Sequence, residues 1–437
     1  MADALHVRFG ELHADWPVKR LRAVAKQHRD WIKLDDETEY TLVTARVRNQ
    51  GVELRGRLPG AKIRTKRQQV VHANDLLVAE IDAKVGGFGI VPAHLDGSIV
   101  SSHYYLFEID QNGLSLPWLD QWVRAGKLQR QVDAIGSTNY AAVRPVDILA
   151  FQVAVPPLSE QRAVTEILSA VDDTIRRTKA YLDQLRATKH QVMRELLTKG
   201  HPDFRTKMAR LKEPWRIGRV APTLEKIPTH WELVTLTKVA RLVSGHTPSR
   251  KHPEYWGGEI PWLSLPDSRR LHRVRVMDAD GRITPLGTAN SSARLLPEDT
   301  VVIIRTGGKR GMCSRLGKPM ATSQDYVGYV AGPRLDARYL EQLFRHNQRE
   351  WQRLSDGSTT LRTIFMPVFR RLKVLLPPLE EQAAIAEVGE SFDQRLVDET
   401  AALDRLREVK RGLAQALLTG RIRVPVGGSN SDAEGGP

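Results

Sequence analysis

The chain has 437 residues and a hydrophobic content of 41%, enough for two or three domains with a sizeable core. Its apolar runs, such as that at 300–304, fall well short of the roughly 18–20 residues that span a bilayer, and residues 1–16 lack a basic stretch leading into an apolar one. The single cysteine, Cys313, rules out an intramolecular disulfide and a cysteine-cluster zinc site, so a cytoplasmic protein is expected.

Net charge is +15, and its distribution is informative. Segment 156–200 holds eight Lys/Arg against six Asp/Glu, and segment 377–421 six against nine, so the remainder of the chain carries +16. Such an excess attracts a polyanion, and nucleic acid is preferred over an anionic membrane because no strongly basic amphipathic helix is present.

In chain order, "ADWPVKRLRAVAK" (14–26) opens a first mixed α/β domain over 1–155. A basic cluster follows at 62–67, with Lys62, Arg64, Lys66 and Arg67. Then come the apolar run "DLLVAEI" ending near Lys84 and a glycine pair, and the polar "IGSTN" with Ser137 and Thr138. "PPLSEQ" at 156 leads into a long helix closed by Gly200, with Ser159 as its expected cap. A linker with prolines and basic residues but no clear period occupies 201–231 and leads into a second domain reaching residue 376. "PPLEEQ" at 377 starts another long helix closed by Gly420, and the tail 425–437 is expected to be disordered.

The two helical segments align without gaps at a shift of 221 residues, with 17 identities in 45 positions. Among the identities are Glu160/Glu381, Gln161/Gln382, Asp172/Asp393 and Lys189/Lys410. The domains share weaker matches, Trp16 with Trp231, Ser101 with Ser323 and Tyr104 with Tyr326. A repeat this long is a duplicated domain-plus-helix unit, since solenoid periods run to about 20–50 residues.

Hydrophobic spacing in both helices is a heptad. Leu168, Val171, Ile175, Leu182, Leu185, Lys189 and Leu196 define the first seam; Phe392, Leu396, Leu403, Leu406, Lys410 and Leu417 the second. Each helix, at about 38 residues, would be roughly 55–60 Å long. Narrow seams with a lysine at the same position favour two helices packed together over helices lying separately on their own domains. In an antiparallel pair the register predicts Lys189 opposite Glu399. Gly389, which stands where the first copy has Leu168, is expected to loosen the second helix near its start.

Catalytic signatures are mostly missing. "RTGGKRG" (305–311) lacks the spacing of a phosphate-binding loop, "VPPL" and "LPPL" lack the flanking residues with which an amino-methyltransferase holds a flipped base, and H-E-x-x-H does not occur. Asp75, Asp82 and Lys84 have roughly the spacing of a metal-dependent nuclease core, which would need the two carboxylates to converge on a divalent cation. The matching stretch, with Asp299, Arg305 and Lys309, keeps the positive charge and loses the second acid, which favours DNA contact over catalysis. Further positions that would suit DNA are the basic Arg250, Lys251, Arg269, Arg270 and Arg310, with the hydroxyls of Ser137, Thr138 and Thr247.

The order of a variable domain, "PPL-x-EQ" with a helix ending "LLT-x-G", then "IPTHWELVTL", "SGHTPSRKHPEYWGGEIPWLSL" and a second "PPL-x-EQ" helix resembles the DNA-specificity subunit of type I restriction-modification enzymes over about residues 10–425. The resemblance implies two α/β (α+β) target-recognition domains in a pseudo-two-fold arrangement, separated by two long antiparallel coiled-coil helices. It implies recognition of a bipartite, asymmetric double-stranded DNA site without catalysis by the chain itself and without a cofactor or metal of its own. It also implies partners: two methyltransferase subunits that modify adenine N6 with S-adenosylmethionine, and restriction subunits that use ATP and Mg. A stand-alone nuclease and an orphan DNA-binding protein without a restriction partner are the alternatives.

Overall fold

The computed structural model describes residues 12–132, 143–215, 224–354 and 362–425. Ser137, Thr138 and the tail beyond residue 425 lie outside the described residues. The chain divides into two compact units, residues 1–179 with 402–437, and residues 180–401. The helices α1 (Leu158–Lys199) and α2 (Leu379–Leu418) each contribute one part to either unit. No helix among the described residues is long and apolar enough to cross a membrane.

Both units are built on the same four strands. In the first, Ala25–His28, Tyr104–Ile109, Leu76–Ala79 and Phe88–Ile90 lie side by side, all antiparallel. In the second, Ala240–Ser244, Tyr326–Ala331, Val301–Ile304 and Cys313–Leu316 repeat that order and direction, with the short Arg275–Val276 added at the edge. The runs "LLVA" and "VVII" are wholly buried, as expected of central strands covered on both faces. The second sheets diverge. The first unit has five strands in the order Trp31–Lys33, Arg67–Val70, Ile99–Val100, Glu39–Arg46, Gly51–Pro59; the second has three, Gly281–Ile283, Trp256–Leu263 and Ala321–Thr322. The linker, aperiodic in sequence, forms an antiparallel pair, Met208–Trp215 with Leu224–Pro228; an irregular register between Arg210 and Trp215 hides its period.

Each Glu-Gln pair fastens a helix to its domain. Gln161 accepts from the Ser115 amide (2.8 Å) and donates to the carbonyls of Gly113 and Pro156 (2.7 Å each). Gln382 repeats all three bonds, with Asp336, Arg334 and Pro377, at the same 221-residue shift. Buried Glu160 accepts the indole N–H of Trp16 at 3.1 Å and pairs with Arg423, while Glu381 accepts the indole of Trp231 and the His230 ring, both at 2.7 Å. Buried charges persist only when paired in this way. Both helices start at the leucine after Pro-Pro, so Ser159 sits inside the first turn and does not cap it. Gly200 and Gly420 take the left-handed conformation (φ 85° and 73°), which a Cβ would strain.

Within each unit α1 and α2 run antiparallel. Seam residues Leu168, Ile175, Leu182, Leu196, Leu403 and Leu417 are buried, and Val171, Leu185, Phe392, Leu396 and Leu406 half-buried. Near their ends the helices also join the domain cores: Val164, Leu168 and Leu417 pack with Trp118 and Trp122, and Leu196, Leu197 and Ile385 with Tyr339 and Trp351. The lysines settle the register. Lys189 Nζ lies 2.5 Å from Asp393 Oδ1, and Lys410 Nζ 2.6 Å from Asp172 Oδ1, two contacts that exchange under the repeat. The expected partner of Lys189, Glu399, pairs instead with Arg395 of its own helix at 3.3 Å. Glu399 is six residues from Asp393, about 9 Å along the axis, and out of reach. Gln342 and Gln121 complete the two sites by donating to Asp393 (2.8 Å) and Asp172 (3.2 Å). The Gln342 side chain also explains Gly389: a Cβ there would come within 2.5 Å of Gln342 Cδ, so the glycine admits a neighbour, and α2 continues through it.

The Lys189–Asp393 pair is only 15% and 11% exposed, so removing one charge strands the other. Lys189→Met is expected to cost about 2–4 kcal/mol in denaturant unfolding. A double-mutant cycle with Asp393→Asn should show coupling above about 1 kcal/mol, and a cycle with Glu399→Gln none.

Candidate nucleic-acid interface

In the first unit the basic cluster borders the five-stranded sheet. Lys62 ends a short turn of helix (Gly60–Lys62), and Lys62 and Arg64 are exposed without an ion-pair partner among the described residues. Arg67 opens the strand Arg67–Val70, faces Lys33 across the ladder, and lays its guanidinium 4.6 Å from the centroid of the Trp31 ring. Two cations opposed on a sheet repel each other, and an anion between them would relieve this. Lys66 is different: it donates to the Gly60 carbonyl at 2.6 Å and pairs with Asp36, bracing the loop. Lys84 is half-buried beside the glycine turn at the far end of Leu76–Ala79.

The register also identifies Arg55 and Arg57, both exposed on the edge strand Gly51–Pro59. Arg57 pairs across from Thr41, which places it on the sheet face that carries Trp31, Lys33 and Arg67. The "RGR" around Gly56 was the available sequence signal; an irregularity between Leu42 and Val43 obscures its alternation.

The second unit repeats the chemistry on other residues. Exposed Arg250 stacks 4.6 Å from the Trp256 centroid, with Lys251 exposed beside it, and Trp256 meets Trp262 edge-on at 5.0 Å. An arginine laid on an indole loses little freedom when it meets a phosphate or a base edge. Thr247 bonds Gln324 at 2.5 Å within the same surface.

Other predicted positions bond to groups of their own unit. Arg269 and Arg270 both bind Asp280, and Arg270 Nε also lies 3.2 Å from buried Asp267, so their charge is largely answered within the unit. Arg305 donates to the Ile364 carbonyl at 3.2 Å, and burial lowers its pKa. Arg310, 8% exposed, donates to the carbonyls of Gln352 (2.8 Å) and Gly307 (3.1 Å) and pins its loop. Of the basic residues in that run, Lys309 alone is exposed, with no ion-pair partner among the described residues.

The nuclease constellation does not assemble. Asp75 precedes the strand Leu76–Ala79 and is held by His28 at 3.0 Å, whereas Asp82 lies beyond the strand's other end. A four-residue strand separates them by about 13 Å or more. No cluster of three or more metal-ligating side chains occurs among the described residues. Cys313 is buried, and desolvation pushes its thiol up to about 12, so it is no nucleophile.

One basic groove combines residues that are distant in sequence. Arg124, Lys127 and Arg130 form one wall and Arg407, Lys410 and Arg411 of α2 the other, all in the first unit. Burial, reinforced by Arg130, lowers Lys127 to about 8. At the equivalent place in the second unit the His190 and His346 rings stand 4.6 Å apart. Burial, then the charges of His190, Arg194 and Lys189, bring His346 to about 4.

The scaffold is duplicated, and its two copies present different surfaces of basic and aromatic residues. Residues 228–406 match the family model described as the type I restriction modification DNA specificity domain. The MjaIX specificity subunit of Methanocaldococcus jannaschii is 25% identical over 184 residues, 42% of either chain, so that match spans less than half of the relative. The putative MjaX specificity subunit of the same organism is 21% identical over 95% of both chains. The type I restriction-modification S subunit of M. genitalium shares the fold, with a TM-score of 0.54 at 15% identity over 93% of this chain and 97% of that one. The match to that family model covers less than half of the chain, and it makes residues 228–406 similar to a type I restriction modification DNA specificity domain.

The geometry separates exposed cations from those that brace their own unit. Arg310→Ala is expected to cost about 1–3 kcal/mol in thermal unfolding because the buried guanidinium that ties two loop carbonyls together is lost, whereas Arg250→Ala should cost under about 1 kcal/mol and weaken DNA binding. Acid stability follows from His346. Its folded pKa lies below the unfolded 6.5, so the unfolded chain binds the extra proton between pH 6.5 and about 4. Stability is therefore complete above pH 6.5 and falls by up to about 3 kcal/mol as the pH drops through that window. In His346→Asn, followed by urea unfolding, most of this slope should vanish.

Proposed function

We propose that this chain is the non-catalytic subunit that selects the DNA site of a type I restriction-modification complex in the cytoplasm. The first domain, with Trp31, Lys33, Arg57 and Arg67, reads one half of a bipartite asymmetric site. The second, with Arg250, Lys251, Trp256 and Lys309, reads the other. The paired helices set the number of base pairs between the halves, and the duplicated scaffold offers equivalent docking surfaces to two methyltransferase subunits. Chemistry is left to the partners, which would methylate adenine N6 with S-adenosylmethionine and translocate and cut DNA with ATP and Mg. The target adenine would be flipped into the partner's pocket.

The observation that carries this reading is the exact-shift repetition of the helix anchors, Gln161 and Gln382 above all, beneath second sheets that differ in strand number, five against three. One scaffold kept twice under two divergent surfaces suits an asymmetric site.

Selection of duplexes from a random pool by the full chain with its methyltransferase partner should return two fixed blocks separated by a constant number of free positions. In Trp31→Ala/Arg67→Gln one block should degrade and the other stay intact. A single continuous motif, or loss of both blocks together, would overturn the two-reader account.

A further inference from the structure

The groove of about 360 Å³ between Arg124, Lys127 and Arg130 on one side and Arg407, Lys410 and Arg411 on the other is lined by six cations and no acid. Arg124 is answered by Asp120 at 2.6 Å, Arg407 by Asp404 at 2.8 Å and Lys410 by Asp172 at 2.6 Å, all just outside the groove. Arg130 and Arg411 are exposed and have no ion-pair partner among the described residues. Arg407 and Arg411 stand one turn apart on α2, about 6 Å along the axis.

The equivalent positions in the second unit, 221 residues on for the domain wall and 221 back for the helix wall, show what a groove without this task looks like. Arg130 is replaced by Trp351, which is fully buried, and Lys127 by Gln348. Arg411 is replaced by His190, packed on His346, and the counterpart of Arg124 is Arg345, paired with Glu341 at 2.9 Å. That site is filled with rings and its charge is answered internally. Two identical protein partners docking on a duplicated scaffold would meet like surfaces, and these are unlike. The occupant of the first groove is therefore something present once per molecule and strongly anionic.

We propose that this groove holds the sugar-phosphate backbone of the bound DNA, with Arg130 and Arg411 as sequence-independent phosphate contacts distinct from the base-reading surfaces. The inference rests on the reading of the chain as a DNA-specificity subunit. Phosphate contacts hold the duplex in register and carry no sequence information, so their loss lowers affinity alike for every sequence.

The test is binding of the full chain to a 40-base-pair duplex of random sequence and to a duplex carrying the selected site, each over a range of NaCl concentrations. In Arg130→Gln/Arg411→Gln the slope of log K against log salt should become shallower by roughly 1.8, with affinity about 10–30-fold lower near physiological salt. The ratio of specific to random binding should be unchanged. Arg130→Lys/Arg411→Lys keeps the charge and should keep the slope, which separates phosphate contact from a folding defect. An unchanged slope in a glutamine variant whose parent binds DNA would overturn the groove and leave the specificity reading standing. So would lost co-purification of the methyltransferase subunit with DNA binding intact, since the groove would then belong to a protein partner. A wild-type chain that does not distinguish its site from random duplex would remove the specificity reading itself.

Discussion

The carboxylates of Asp172 and Asp393 are the joints on which the structure depends. Each receives an ammonium from the opposite helix and an amide from the domain of its own unit, so three elements converge on one charge, buried at Asp393 and half-buried at Asp172. A seam of leucines would allow the helices to slip by a turn, because one apolar layer resembles the next. A charge with a single satisfactory partner does not permit slippage, since any other stagger leaves it desolvated and unpaired. Burial pulls the Lys189 ammonium below the usual lysine range despite the favourable Asp393, a measure of how much the site relies on that partner.

The second constraint is the Glu-Gln pair at the head of each helix. The glutamine gathers three backbone groups that would otherwise go unsatisfied, and the glutamate fixes the tryptophan at the start of the domain. Helix and domain are thereby one body within a unit, and divergence is pushed outward into the second sheet. The second sheet can then change without disturbing the seam.

Much of this was legible in the sequence. The repeat announced a duplicated scaffold, the heptads located the seam, and the equivalent lysines at 189 and 410 marked where it is specified. The stagger was not legible: a heptad gives the phase of a helix but not its axial position against another, and so Glu399 was chosen where Asp393 is the partner. Asp393 was visible as an identity between the repeats but lies beside the seam positions, not on them. Gly389 read as a weakness because the sequence does not show Gln342 approaching it. The basic clusters were found as clusters, but the sequence cannot show where carbonyls and carboxylates stand. Arg67 and Arg250, on indole rings, thus looked the same as Arg310 and Arg270, which brace their own domains. The groove built from Arg130 and Arg411 joins residues too far apart in the chain to be seen before folding.

The central claim is that this one chain chooses where its complex marks DNA. A genome-wide map of N6-methyladenine in the native host, with and without the gene, tests it most directly. The account predicts loss of methylation at one split, asymmetric motif and no other, restored by the wild-type gene. Unchanged methylation on deletion, with the methyltransferase subunit demonstrably expressed, would contradict it.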